Sequence, residues 1–310
     1  MSTQQKWIKL GRIFCPFSSY EWMKTHAAVP FLNSIDANGV ARIYFTSRDE
    51  QDRSSIGWFR INLNNPRTIL NISQEPVLRF SSQGYFDEDG VMGCQIIEWE
   101  NAHLLYYIGW NKAVTVPFRN AVGVAISKDN GLTFDRLYKG PILDRSIHDP
   151  CFVASLCVLN TGMKYQMWYL SCIDWLKKND LLLHKYHIKY AESHNGIDWI
   201  RNGAIAIDFA SDSEYAISVP RVIVEEKKYK MWYSFRATQA NKNYQLGYAE
   251  SDDGIRWKRI DNVNFIGLHE EWDSEMQCYP FVFKYNQRTY MLYNGNAYGK
   301  TGIGLALLDQ

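Results

Sequence analysis

Short runs of apolar and aromatic residues, broken by Gly, Pro, Asn and Asp, follow one another along the whole chain, and no segment carries a helical period of any length. One run returns five times: Ile43-Tyr44-Phe45-Thr46-Ser47, Leu105-Tyr106-Tyr107-Ile108-Gly109, Met167-Trp168-Tyr169-Leu170-Ser171, Met231-Trp232-Tyr233-Ser234 and Met291-Leu292-Tyr293-Asn294. Taking Tyr44, Tyr107, Tyr169, Tyr233 and Tyr293 as the ruler gives spacings of 63, 62, 64 and 60 residues. A repeat of that length made of strands means a radial or stacked architecture.

About fifteen residues before most copies stands a strand marked by proline: Val29-Pro30-Phe31, Asp149-Pro150-Cys151, Val219-Pro220-Arg221 and Tyr279-Pro280-Phe281. After each copy from the second onward comes a third strand, Gly123-Val124-Ala125, Lys189-Tyr190-Ala191, Gly247-Tyr248-Ala249 or Gly304-Leu305-Ala306. Tight turns at Ser127 to Gly131, Ser193 to Gly196 and Ser251 to Gly254 then lead to an aromatic, Phe134, Trp199 or Trp257, that opens a fourth strand. Four antiparallel strands in each of five units predict an all-β fold, a five-bladed β-propeller forming one domain over 1–310. The blades fall near 25–78, 89–143, 148–207, 215–266 and 275–308. The last has only three strands, and Trp7-Ile8-Lys9 matches Trp199-Ile200-Arg201 and Trp257-Lys258-Arg259, so residues 6–14 are expected to supply the fourth and close the ring.

The chain has a net charge of +1, which gives no reason to expect nucleic acid or an anionic membrane as partner. No stretch approaches the roughly 20 apolar residues of a membrane span, and the first residues lack a signal-peptide layout. The six cysteines form no CxxC pair, which favours buried reduced thiols and a cytoplasmic location. Neither a metal nor another cofactor is called for, and the oligomeric state is open.

In a propeller, residues ahead of each first strand and in each loop from second to third strand share one face. Collected this way, carboxylates, arginines, amides and aromatics converge on one mouth, the composition of a sugar site. Asp149, between His148 and Pro150, and Glu275 are the candidate central carboxylates, with Asp89 or Asp49 as the second acid or base. Burial beside other charges would shift such a carboxyl enough to serve as an acid. Arg48, Arg53, Arg119, Arg221 and Arg236 are candidates for holding an anionic group. Trp110 is placed to stack on a ring, and Asn111, His148, Gln277, Asn294 and Asn296 to bind substrate. The carboxylates Asp129 and Asp253 belong to hairpin turns on the other face. His103, His184 and His194 have no partner spacing and are assigned to the surface.

The pattern resembles the five-bladed propeller superfamily of arabinanases, β-xylosidases, invertases, levansucrases and mannoside phosphorylases. In arabinanase-like relatives an Asp-Pro pair heads the innermost strand and carries a catalytic or pKa-tuning aspartate, which Asp149-Pro150 matches. The Gly-Val-Glu-Asp-Pro-Arg phrase of the phosphorylases stands here as Gly90-Val91-Met92-Gly93-Cys94-Gln95, without its acids and arginine, and Val29 replaces the aspartate before Pro30. Ser127 to Phe134 resembles the Asp-box hairpin of sialidases. The resemblance implies a carbohydrate-active enzyme that cleaves or transfers a glycosidic bond, by hydrolysis or phosphorolysis, on a sugar or oligosaccharide that includes anionic or phosphorylated ones. The alternative is a glycan-binding propeller that has lost its catalytic acids.

Overall fold

The computed structural model describes residues 5–18, 20–178, 181–237 and 243–309. It is all-β, with strands in five units preceded by β1 (Gln5–Phe14). Unit one holds β2 (Thr25–Ile35), β3 (Val40–Arg48), β4 (Ser54–Asn62) and β5 (Asn65–Ile72); unit two holds β6 (Gly90–Trp99), β7 (Ala102–Lys112), β8 (Phe118–Ser127) and β9 (Asp135–Arg136). Unit three holds β10 (Phe152–Asn160), β11 (Tyr165–Lys178), β12 (Leu181–Ser193) and β13 (Ile205–Ile207); unit four holds β14 (Glu214–Glu225), β15 (Lys228–Ala237), β16 (Gln245–Ser251) and β17 (Lys258–Arg259). After β18 (Val263–Gly267), unit five holds β19 (Cys278–Tyr285), β20 (Arg288–Asn294) and β21 (Ile303–Leu308). Strands within each unit pair antiparallel in chain order. Parallel bridges at Ser54–Gly90 and Tyr186–Ala216 join unit one to two and three to four.

Strand β1 pairs antiparallel with β21, from Trp7 opposite Leu308 to Phe14 opposite Ile303. On its other edge it pairs in parallel with β18, which the sequence pattern did not predict. The first strands of the units touch in a cycle: β2 on β6, β6 on β10, β10 on β14, β14 on β19, and β19 on β2.

The aromatic phrase supplies two different contacts from adjacent positions. Facing one way, the Tyr44 and Tyr106 hydroxyls and the Trp168 indole donate to the carbonyls of Gly131, Gly196 and Gly254, in the hairpin turn of the next unit, at 2.9, 2.7 and 2.7 Å. In unit four the Trp232 indole instead reaches Gln5 of β1 at 2.9 Å. Facing the other way stand Phe45, Tyr107, Tyr169, Tyr233 and Tyr293, whose third-strand partners are Gly57, Gly123, Lys189, Gly247 and Gly304. A Cβ on Gly123, Gly247 or Gly304 would come within 2.3, 2.2 or 2.5 Å of the tyrosine it faces, which is why glycine recurs there. The sequence ruler is therefore one residue out of phase in unit one: the equivalent of Tyr107 is Phe45, not Tyr44.

Every first strand slips register at the same level, between Ala28 and Phe31, Gly93 and Gln95, Val153 and Leu156, Ser218 and Arg221, and Cys278 and Phe281. At three of these bulges the residue before proline has positive φ: Val29 at 50°, Val219 at 49° and Tyr279 at 57°. A β-branched residue in that region is strained, and the surrounding structure must hold it. Side chains capture the freed backbone N–H groups: Val29 N–H donates to Asn294 Oδ1 at 2.8 Å, Gly93 to Thr46 Oγ1 at 3.2 Å, Val219 to Ser155 Oγ at 2.9 Å and Tyr279 to Ser234 Oγ at 2.8 Å. Thr46, Ser234 and Asn294 close the aromatic phrase in their units, whereas units two and three carry Ile108 and Leu170 there. The stitch from Asn294 to Val29 ties unit five to unit one.

Candidate functional site

The acids that the sequence singled out lie mostly in ion clusters. Ahead of β10, Asp149 is fully buried and accepts from Ser146 Oγ at 2.8 Å, Ser171 Oγ at 2.7 Å, Tyr169 OH at 3.2 Å and Arg201 at 2.9 Å, with Lys189 Nζ at 3.6 Å. Burial alone would raise this carboxyl, but the Ser171 and Ser146 hydroxyls and the Lys189 and Arg201 charges more than offset it, and its pKa lies below the ordinary value. The expectation that Asp149 faces the central channel with a pKa suited to an acid is corrected on both counts.

Its arrangement is a repeat. Tyr107 reaches Asp87 at 3.4 Å, and Arg136 pairs with the same carboxylate at 2.6 Å. Tyr233 reaches Asp261 at 2.6 Å, and Arg259 binds both Asp261 and Glu214. Tyr293 reaches Asp273 at 2.9 Å, and Lys9 of β1 pairs with it at 2.7 Å. Four units thus carry a clasp of second-strand tyrosine, carboxylate and a cation, which comes from the segment after the third strand in units two to four and from β1 in unit five. The likeness of Trp7-Ile8-Lys9 to Trp199-Ile200-Arg201 and Trp257-Lys258-Arg259 is a likeness of this cation. Phe45 has no hydroxyl to take part, and it packs on Phe14, Trp22 and Phe59 instead.

The other predicted residues separate further. Asp49 caps its own loop by accepting from Gln51 N and Arg53 N, both at 2.9 Å, and pairs with the Arg53 guanidinium at 2.8 Å. Arg53 lies over Phe80 and belongs with Asp49 to a separate cleft beside Glu21 and Trp22. Asp89 accepts from Lys112 N at 2.7 Å. Trp110 donates to Ser54 Oγ at 2.8 Å against Gly90, at the seam of units one and two. Asn296 accepts from the Glu275 and Met276 backbone, Gln277 donates to the Asp273 carbonyl, and Asn111 to the Lys112 carbonyl. Lys189 donates to the His148 carbonyl. Asn294, besides its bond to Val29, donates to Ala27 and Gly302 carbonyls. These amides therefore hold backbone, and the His148 backbone is itself held, its carbonyl by Lys189 and its N–H by Ser146 Oγ at 3.1 Å. Glu275 and Arg119 are exposed. Arg221 lies over the Phe281 ring at 4.0 Å and donates to the Val282 carbonyl, in a constriction with Gln95 and Cys157.

What the first strands enclose is a cavity of about 380 Å³, within the roughly 300–1,000 Å³ of small-molecule sites. Val29, Met92, Ala154, Ser155, Val219 and Tyr279 bring all five units to it, at the level of the bulges. Ile108, Leu170, Phe118, Phe152 and Tyr186 form an apolar wall on the side where units two and three lack a polar stitch. Of the predicted residues, only Arg236 lines this space. No Asp or Glu among the described residues does.

Arg236 is 9% exposed and pairs with no carboxylate among the described residues. It donates to Tyr298 OH at 3.0 Å and to His184 Nε2 at 2.9 Å, and lies over Tyr215 and Tyr244 at 5.0 and 4.7 Å. Its Nε–H is buried with no acceptor. His184, assigned to the surface from sequence, is a cavity residue stacked on Tyr186 at 4.9 Å. Burial and the Arg236 charge lower its pKa to about 4, so it is neutral at pH 7. Because arginine can only donate, Nε2 is the acceptor and the ring proton sits on Nδ1. By the same logic Tyr298 OH accepts from Arg236, and Ser155 Oγ accepts from Val219, so each keeps its proton for another partner. Sequence reasoning missed His184 and Tyr186 because it searched strand ends. The signal was their i, i+2 spacing on β12, which puts both on one face.

No family model matches the chain. A Mycobacterium tuberculosis (strain ATCC 25618 / H37Rv) protein described as "Uncharacterized protein Rv1502" is 38% identical over 304 residues, covering 98% of this chain and 99% of that one. The chain belongs to the family of that protein. Among solved structures, one described as "Glycoside hydrolase" superposes with a TM-score of 0.71 at 18% identity, over 97% of this chain and 90% of the other. A glycosyl hydrolase from Bacteroides ovatus gives 0.72 at 15% identity, over 98% and 94%. The α-L-arabinofuranosidase PaAbf62A from Podospora anserina gives 0.65 at 10%, over 99% and 97%. At these identities the family member shares the fold of those glycoside hydrolases. All six cysteines are free thiols, and no helix among the described residues is long and apolar enough to cross a membrane.

Proposed function

We propose that the five units are the blades of a propeller fastened by β1, and that its central cavity binds a sugar bearing an anionic group, carboxylate or phosphate, at Arg236. The observation that carries the reading is a guanidinium nine-tenths buried with no carboxylate beside it among the described residues. A buried charge is costly unless paired, and here only tyrosine rings, a neutral imidazole and a phenol oxygen face it. An incoming anion would supply the missing charge and the acceptor for Nε–H. The aromatic wall suits a pyranose face, and Tyr298 OH, His184 Nδ1–H and Ser155 OH suit an acceptor-rich ligand. Likeness in fold to glycoside hydrolases supports a sugar as the ligand class.

A glycan array carrying neutral and acidic sugars tests this. Retention of acidic glycans over their neutral counterparts is expected, and equal retention would overturn it. Hydrolysis or phosphorolysis is a second reading, which the cavity's lack of described carboxylates disfavours. It rests on Glu275, the one predicted acid that is exposed and has no cation partner among the described residues, on a loop bound to Asn296 near Tyr298. No turnover of acidic oligosaccharides would remove that reading, and turnover that survives Glu275→Gln would remove Glu275 from it.

A further inference from the structure

Beside the main cavity lies a second space of about 110 Å³, lined by His26, Ala28, Thr46, Arg48, Ser54, Met92, Tyr279 and Tyr298. It shares Met92, Tyr279 and Tyr298 with the main cavity, so one surface runs from one chamber into the other. Among the described residues each chamber holds one arginine and one histidine, and neither lining includes a carboxylate. In the second chamber the carboxylate paired with Arg48 among the described residues is the exposed Asp52, at 3.8 Å. The field there is positive: burial, then the charges of Arg48 and Lys300, lower the His26 pKa to about 4, against a smaller opposing effect of Asp52.

Resting on the reading of the cavity as an anionic-sugar site, we propose that the two chambers together take a ligand with two separate anionic groups, one at Arg236 and one at Arg48, with the sugar body along Met92, Tyr279 and Tyr298. Two cations on one shared lining, Arg236 with no carboxylate partner among the described residues and Arg48 with the exposed Asp52 at 3.8 Å, favour a doubly charged ligand over a singly charged one. Tyr298 is the joint between them, since its hydroxyl binds Arg236 while its ring lines both chambers. It is held at φ 60° next to Ala297 at φ 52°, two consecutive non-glycine residues in the left-handed region. That geometry fixes where the ring stands.

Calorimetry with four ligands on one ring decides it: glucose, glucose 1-phosphate, glucuronate and glucuronate 1-phosphate. A second charge-assisted contact is expected to make the doubly charged sugar bind about tenfold or more tighter than the better singly charged one. Arg48→Gln, at a partly exposed position, is expected to erase that gain and bring the doubly charged sugar down to the affinity of a singly charged one. A doubly charged sugar no tighter than a singly charged one, or a gain that survives Arg48→Gln, overturns the two-ended site while leaving the single-anion reading in place. If none of the four binds, the single-anion reading falls and the two-ended site with it.

Discussion

The clasps and the cavity use the same side chains, arginine and tyrosine, in opposite ways. In the clasps each cation meets a buried carboxylate: Arg136 with Asp87, Arg201 with Asp149, Arg259 with Glu214, and Lys9 with Asp273. In the cavity Arg236 meets, among the described residues, tyrosines and a histidine. The clasps are internally neutralised and tie each unit's second-strand tyrosine to a carboxylate and a cation outside that strand. The cavity is left with positive charge that a ligand can match. Partnering, more than burial, separates a structural ion from a binding one.

The largest effect expected from this contrast is on stability. Asp149→Ala leaves Arg201 and Lys189 buried without a counter-charge, and a loss of about 3–5 kcal/mol is expected in denaturant unfolding. A stably folded Asp149→Ala that fails only in ligand binding would break the comparison. Arg236→Gln should act with the opposite sign. Affinity for an acidic sugar falls about tenfold or more, while the melting temperature holds or rises because an unmatched charge has been removed. Tyr169→Phe deletes one hydrogen bond to Asp149 and should cost about 1–3 kcal/mol. Phe45→Tyr should also destabilise, since unit one offers the new hydroxyl no carboxylate, and a gain in stability there would show an acceptor within reach.

The pH dependence sharpens the cavity side. His26 and His184 titrate near 6.5 in the unfolded chain and near 4 when folded, so the unfolded state binds more protons between those values. Their contribution to stability is present above pH 6.5 and is lost as pH falls toward 4. Burial also raises the Tyr186 and Tyr279 hydroxyls well above their ordinary pKa. Affinity for a sugar carboxylate should therefore stay flat from about pH 7 to 9, where no cavity histidine or these tyrosines titrate. A step in calorimetric affinity within that range would point to another group in the lining.

Much of the strand layout was legible because its causes are local. The aromatic phrase, the third-strand glycines and the Asp-Gly and Asn-Gly turns act within a few residues of where they stand. The match of residues 7–9 to the fourth-strand openings was legible for the same reason, and it proved to mark the cation of the clasp. Unit one misled because Tyr44 and Phe45 are both aromatic, and only the pairing of Phe45 with Gly57 shows which faces the clasp. The candidate site was far less legible. Of the fifteen residues selected, Arg236 alone lines the main cavity and Arg48 its side chamber, while Asp149, Asp49, Asn294 and Asn296 are engaged in holding the fold.

The sequence by itself determined most of the strands, their grouping into five units and the acids and arginines that fall between strands, because periodicity and turn chemistry are read over short spans. Only the tertiary structure decided which charges cancel. The partners of Asp149, Asp87 and Asp273 lie 52, 49 and 264 residues away along the chain, and the emptiness around Arg236 follows from what units two to five place next to it. A charge is functional or structural according to its neighbours in space, and those neighbours are set by the packing of whole units.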